Sequence, residues 1–295
     1  MKTKMLYSTI AFLTCLFMSA QTLNNEITEN TKSPYLLGKI DKSGLENGNY
    51  QWFTKNYQNY NPDSTTINEI SDLLSEYNII LFMGTWCGDS KREVPKIYKI
   101  LEAANFPMEQ LTTVAVGRTK PLYKKSPQHE EEGLNIHRVP TLILSKKGKE
   151  HNRIVEHPVE SFEKDIQTII TNNNYESNYA IVTTVNTILD KKGIKGLKKK
   201  TDKLINTYKE KVLSMYELNT YARVLLGSEE NEKAIAVLKL NTKFFPDNPK
   251  AHISLSKALN TIGNKDEAIK TLENALTKLP DNTDIKKNLE AIKTK

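Results

Sequence analysis

The sequence predicts two units in series: an α/β layer built on a central mixed sheet flanked by helices, then an all-α region of repeated helices. Three observations point there. The nearly continuous apolar run 78–83 meets the turn formed by Gly84, Thr85, Trp86, Cys87, Gly88, Asp89 and Ser90, and a helical periodicity follows it. A second apolar run over 111–116 and a third opened by Pro140 supply further strands. Beyond residue 172 only helix and turn patterns remain, and Pro246, Asp247 and Asn248 return as Pro280, Asp281 and Asn282 after 34 residues.

Each element has its own signal. Ile67, Ile70, Leu73, Leu74 and Tyr77 recur at helical spacing over 63–77 and predict an amphipathic helix. The run 78–83 fits a strand covered on both faces. Val94, Ile97, Tyr98, Ile100 and Leu101 then repeat every three or four positions, so a helix begins at or just after Cys87. A crossover of that length returns the strand 111–116 parallel to the first. The charged segment 128–135 predicts a short helix. Over 138–144, Pro140 opens a strand, a position where the missing N–H is tolerated. Residues 146–149 form a turn, 150–156 its hairpin partner, and Phe162, Ile166, Ile169 and Ile170 mark a closing helix.

At 295 residues the chain has room for about two domains. Its 38% hydrophobic and 26% charged residues place it far from the disordered and collagen-like classes. The net charge of +7 is a mild excess, much of it in Lys191, Lys192, Lys195, Lys198, Lys199 and Lys200. That stretch reads as a solvated helix face rather than a lipid or nucleic-acid contact, and no nucleic-acid partner is expected.

Residues 1–20 read as a secretory signal, with Lys2 and Lys4, an apolar run over 5–18, then Ser19 and Ala20. The run is too short and too interrupted to span a bilayer, so an exported protein, periplasmic or extracellular, without a transmembrane span is expected. Lipoprotein processing at Cys15 is the alternative, and Thr14 before it disfavours that route. With the leader removed, Cys87 is the single cysteine, so an internal disulfide is excluded and a structural zinc site is not expected. His129, His137, His151, His157 and His252 show no metal spacing, and His137 is expected at the surface. No metal and no cofactor are expected. The division is a signal over 1–20, a polar lead over 21–44, the α/β domain over 45–171, a helical connector over 172–213, and two repeats with a capping helix over 214–295.

The 34-residue shift also carries Leu225 to Leu259, Ala234 to Ala268, Ile235 to Ile269 and Leu238 to Leu272. This pattern resembles tetratricopeptide repeats, in which small residues such as Ala234, Ala268 and Ala275 let two antiparallel helices approach. It departs from that consensus at Asn241, His252 and Ser256. Two repeats alone bury too little to stand freely, so the helical stretch 175–208 is expected to cover their end as an extra hairpin.

Trp86, Cys87, Gly88, Asp89 and Ser90 after an apolar strand, with Val139, Pro140 and Thr141 about fifty residues on, resemble the thioredoxin superfamily over 45–171. The resemblance implies a cis peptide at Pro140 facing the reactive Cys87. Independently, a thiol at a helix start lies near unsatisfied N–H groups and the positive end of the helix dipole, both of which favour thiolate. Lys91 and Arg92 act in the same direction and Asp89 against it. Ser90 stands where a dithiol relative carries its resolving cysteine, and is expected to donate a hydrogen bond to the thiolate. Leu81 stands where the buried acid of ordinary thioredoxins would be. Cys87, Gly88, Asp89 and Ser90 also satisfy the letters of monothiol glutaredoxins, a branch that Trp86, the leader and the repeats fit poorly.

The expected function is therefore thiol–disulfide exchange or isomerisation on disulfide- or thiol-bearing protein clients, with Cys87 and Ser90 at the reacting centre. Trp86, Gly88, Asp89, Val139, Pro140 and Thr141 form the client groove, and a client or external thiol resolves the mixed disulfide. The alternative is a non-catalytic module that holds polypeptide in the groove and on the repeats.

Overall fold

A computed structural model describes residues 23–29, 32–172 and 174–294. The expected signal, with Cys15, lies outside them. β1 (Glu26–Glu29) and β2 (Lys32–Leu36) form an antiparallel ribbon. The chain continues through β3 (Gly38–Ile40), α1 (Lys42–Leu45), α2 (Gln51–Asn59), α3 (Ser64–Leu74), β4 (Asn78–Met83) and α4 (Gly88–Ala103). Next come β5 (Leu111–Ala115), β6 (Thr141–Lys146), β7 (Lys149–Val155) and α5 (Phe162–Asn172). Strands β3 to β7 make one mixed sheet in the order β3-β5-β4-β6-β7.

Central β4 runs parallel to β5, pairing Ile79 with Leu111 and Met83 with Ala115, and antiparallel to β6. Its side chains alternate between faces, which explains its unbroken apolar character. Ile79, Leu81 and Met83 join a large core with Ile70, Val94, Ile97 and Ile166, whereas Phe82 packs with Val114, Val116, Val139 and Ile143 on the other side. Asp63 begins α3 by accepting a hydrogen bond from the Thr65 N–H at 3.2 Å.

Two sequence expectations change. The segment 128–135 is a succession of turns, not a helix. His129, Gly133 and Asn135 have φ of 60°, 74° and 53°, and the Glu131 carboxylate accepts from the Ser126 N–H and hydroxyl at 3.0 and 2.6 Å. These local side-chain bonds replace helical ones. The segment read as a polar lead also contributes structure: Leu36, Leu37 and Ile40 are buried, and β3 forms the sheet edge beside β5.

The rest is helical. α6 (Ala180–Tyr208) breaks at Gly193, whose φ of 60° and ψ of −170° are open to glycine, and the Thr184 and Tyr208 hydroxyls meet at 2.7 Å. The two arms therefore fold back on each other. α7 (Tyr216–Gly227) and α8 (Asn231–Phe244) form one helix pair, α9 (Pro249–Thr261) and α10 (Lys265–Lys278) the next, and α11 (Thr283–Lys293) closes the array. Asn248, Asn264 and Asn282 cap α9, α10 and α11 through their side chains. Ala234 and Ala268 are fully buried, which brings paired helices close. Ile181, Val182, Val185, Leu189, Leu197 and Leu204 of α6 share one core with these pairs and so cover the end that two repeats would leave bare. Of the lysine-rich stretch, Lys191, Lys192, Lys195, Lys198 and Lys199 are exposed, as a solvated face requires.

The units touch at definite points. Lys125 Nζ donates to Gly227 O at 2.9 Å, and Arg138 Nη2 to Tyr216 O at 3.3 Å. The Arg223 guanidinium lies 4.8 Å from the Tyr123 ring centre. Among the described residues no helix is long and apolar enough to cross a membrane.

Candidate thiol site

Cys87 is the N-cap of α4, with extended backbone at φ −89° and ψ 129°. Its N–H donates to Gly84 O at 2.8 Å and its carbonyl accepts from the Lys91 N–H at 3.0 Å, which locks strand, turn and helix together. The sulfur makes no capping bond. It is half-buried and stands 3.4 Å from Val139 O, so the thiol is oriented on the backbone just before Pro140. The Val139–Pro140 peptide is cis. The sequence thus brings its two separated motifs to one point.

Trp86 lies over the turn and donates its indole N–H to Val116 O at 2.8 Å. Gly84 is required beneath it, since a Cβ there would stand 2.7 Å from the indole. Gly88 is exposed, and Asp89 is drawn outward by Arg92 at 2.8 Å, a pair exposed enough to contribute little stability. Ser90 departs from its expected role. It is fully buried, and its hydroxyl accepts from the Gly84 N–H at 3.1 Å rather than bonding the sulfur. Its place inside the first turn of α4 points it at the strand end. Leu81 is buried two residues before the end of β4, in an apolar core.

Val139, Pro140 and Thr141 are buried. The Thr141 hydroxyl donates to Arg138 O at 2.8 Å, and Pro140 O accepts from the Glu156 N–H at 2.7 Å. Arg138 bonds Glu156 at 2.8 Å and stacks 4.6 Å from the Tyr179 ring centre, while the Tyr179 hydroxyl donates to Glu156. The accessible part of the site is therefore Cys87, Trp86 and Gly88, with the 139–141 segment buried behind them.

His137 is a correction: it is buried, not on the surface, edge-on to the Tyr179 and Tyr221 rings at 6.1 and 6.2 Å. Burial pushes its pKa down to about 3, so it is neutral at physiological pH. Its Nδ1 bonds Asn135 O at 3.3 Å and its Nε2 has no partner among the described residues.

Lys124 gave no sequence signal. It is only 6% exposed, and burial, reinforced by Arg138, pushes its pKa down to about 8, while Cys87 and Glu156 act in the opposite sense. A polar segment hides such a residue because its burial comes from elements distant in sequence. No group of three or more potential metal ligands occurs among the described residues. No protein-family model and no curated protein sequence matches the chain.

Proposed function

We propose that this is an exported monothiol protein of the thioredoxin superfamily, carrying tetratricopeptide-like repeats, that performs thiol–disulfide exchange or isomerisation on protein clients. The observation that carries the reading is the half-buried Cys87 sulfur at the start of α4, 3.4 Å from the carbonyl that precedes Pro140. The Cys87 thiolate attacks one sulfur of a client disulfide. That S–S bond breaks, a Cys87–client disulfide forms, and the second client sulfur leaves as thiolate. No other cysteine occurs among the described residues, so the second step belongs to another thiolate. Attack by a client thiolate completes an isomerisation; attack by a small or protein thiol completes a reduction, with that thiol as the reductant.

The test compares the full-length protein with Cys87→Ser in scrambled-substrate refolding and insulin-type reduction. Activity is expected in the first protein and none in the second, and equal activity in both would refute the reading.

A second reading, a non-catalytic polypeptide-binding module, is favoured by the cleft of about 510 Å³ between the two units. It is lined in part by Arg118, Lys120, Tyr123, Arg223, Leu226 and Lys257. Client capture that survives Cys87→Ser and is lost in a Arg223→Glu, Lys257→Glu double variant would select it.

A further inference from the structure

We propose that the cleft where the two units meet is a docking site for an acidic, extended polypeptide segment, recognised jointly by the loop after β5 and by the helix pairs. The inference rests on the polypeptide-binding reading of that cleft and supplies the chemistry of its occupant.

The cleft, of about 510 Å³, draws on both units. After β5 the chain returns on itself: Gly117 N–H donates to Lys125 O and Lys124 N–H to Gly117 O, both at 2.9 Å. Gly117 permits that close return, because a Cβ on it would stand 2.4 Å from Leu122 O. Lys125 ties the loop to the end of α7 through Gly227 O, and the residues between, Arg118, Lys120 and Tyr123, form one wall. The helical side is one face of each of two helices. α7 contributes Asn219, Ala222, Arg223 and Leu226, and α9 contributes Ser254, Lys257, Ala258 and Thr261, both sets at the three-and-four spacing of a single helix face. Small and apolar residues make the floor, and the 34-residue shift carries Arg223 onto Lys257.

Charge decides what the cleft takes. No Asp or Glu lines it. Arg118 is already bonded to Glu29 and to Ser33 O, but Lys120, Arg223 and Lys257 are exposed and form no ion pair among the described residues. The Tyr123 ring, 4.8 Å from the Arg223 guanidinium, holds that cation at the seam. Neighbouring helices stand about 8 to 10 Å apart, and an extended chain repeats its side chains on one face about every 7 Å, a step that flexible Lys and Arg side chains can follow. Carboxylates of such a chain meet the three cations while apolar neighbours cover the floor. The side-chain amides of Asn219 and Asn231, unbonded among the described residues, are open to its backbone. A nucleic acid strand, with a charge about every 3.4 Å, would outnumber the cations and leave the apolar floor uncovered.

The experiment measures fluorescence anisotropy with three labelled probes: a decapeptide of alternating Asp and Leu, its Asn counterpart, and a thymidine decanucleotide. The full-length protein carries Cys87→Ser throughout, so that no thiol chemistry intervenes. The Asp peptide is expected to bind about tenfold more tightly than the Asn peptide, and to weaken as salt is raised. Lys120→Gln, Arg223→Gln and Lys257→Gln should each weaken it about threefold. The Arg223→Glu, Lys257→Glu double variant should lose the Asp peptide and gain one with Lys in place of Asp, a reversal that a folding defect cannot produce. Equal affinity for the Asp and Asn peptides would overturn the inference while keeping the polypeptide-binding reading. An affinity indifferent to Lys120→Gln would overturn the shared site, since the helices alone would then suffice, and tighter binding of the decanucleotide than of the Asp peptide would overturn the choice of occupant.

Discussion

The α/β unit buries Thr85, Ser90, Lys124, His137 and Thr141 around one end of its sheet, whereas the repeated helices bury chiefly Ala, Leu and Ile. In the helices Asn241 Nδ2 donates to Met215 O and Ser256 to Ala268 O, each at 2.9 Å, and the buried Asn241 Oδ1 has no partner among the described residues. At the sheet end His137 Nε2 and Arg138 Nε have no partner among the described residues. Burying polar groups costs free energy unless they are bonded, so unmet polar groups belong where chemistry or recognition uses them. The two regions therefore differ in degree: the unmet buried groups cluster beside the sheet end, at His137 and Arg138, with one, Asn241 Oδ1, in the helices.

That contrast is open to attack by mutation. The largest effect is expected from Leu272→Ala, which hollows the fully buried helical core and costs about 2 to 5 kcal/mol in denaturant unfolding. At temperatures where the variant remains folded, Cys87 alkylation should be unchanged; a parallel loss of thiol reactivity would show that the two regions are not separable.

His137 tests the opposite end. Its imidazole takes a proton near pH 6.5 when unfolded and only near pH 3 when folded, so the unfolded state binds more protons between these values. Stability therefore falls as pH drops through that window, by about 4 kcal/mol. His137→Phe keeps the ring contacts and should flatten this acid dependence. An unchanged profile would remove His137 from the account.

A smaller effect attaches to Lys124. Its folded pKa of about 8 lies below the ordinary 10.5, so between these values the unfolded state holds the extra proton and stability rises with pH. Lys124→Met should abolish that rise, worth about 2 kcal/mol, in unfolding curves collected from pH 8 to 10. A slope equal to that of the unaltered protein would mean the amine is solvated.

Much of this arrangement was legible beforehand, for physical reasons. The strand Asn78–Met83 announced itself because both of its faces are covered, and the start of α4 because the Cys87 turn precedes a 3.6-residue periodicity. The helix pairs were visible in a 34-residue recurrence of Pro, Ala and Leu. The site residues Cys87, Trp86, Val139 and Pro140 do converge, although Ser90 turns to the backbone of Gly84. What escaped was decided by long-range contact. β3 is three residues long, too short for alternation to register, and earns its place by pairing with β5. The segment 128–135 has helix-forming charges, but Ser126 and Glu131 bond each other instead. His137 looks like a surface residue in sequence because the rings that pack on it are as distant as Tyr179, just before α6, and Tyr221 of α7; Lys124 gives no better signal.

The most direct measurement of the central claim is intact-mass analysis of the full-length protein after mixing with a small disulfide-bonded peptide. One peptide half should be found joined through Cys87, with the other half released as free thiol, and the adduct should be absent from Cys87→Ser. A folded protein that forms no adduct at Cys87 would contradict it.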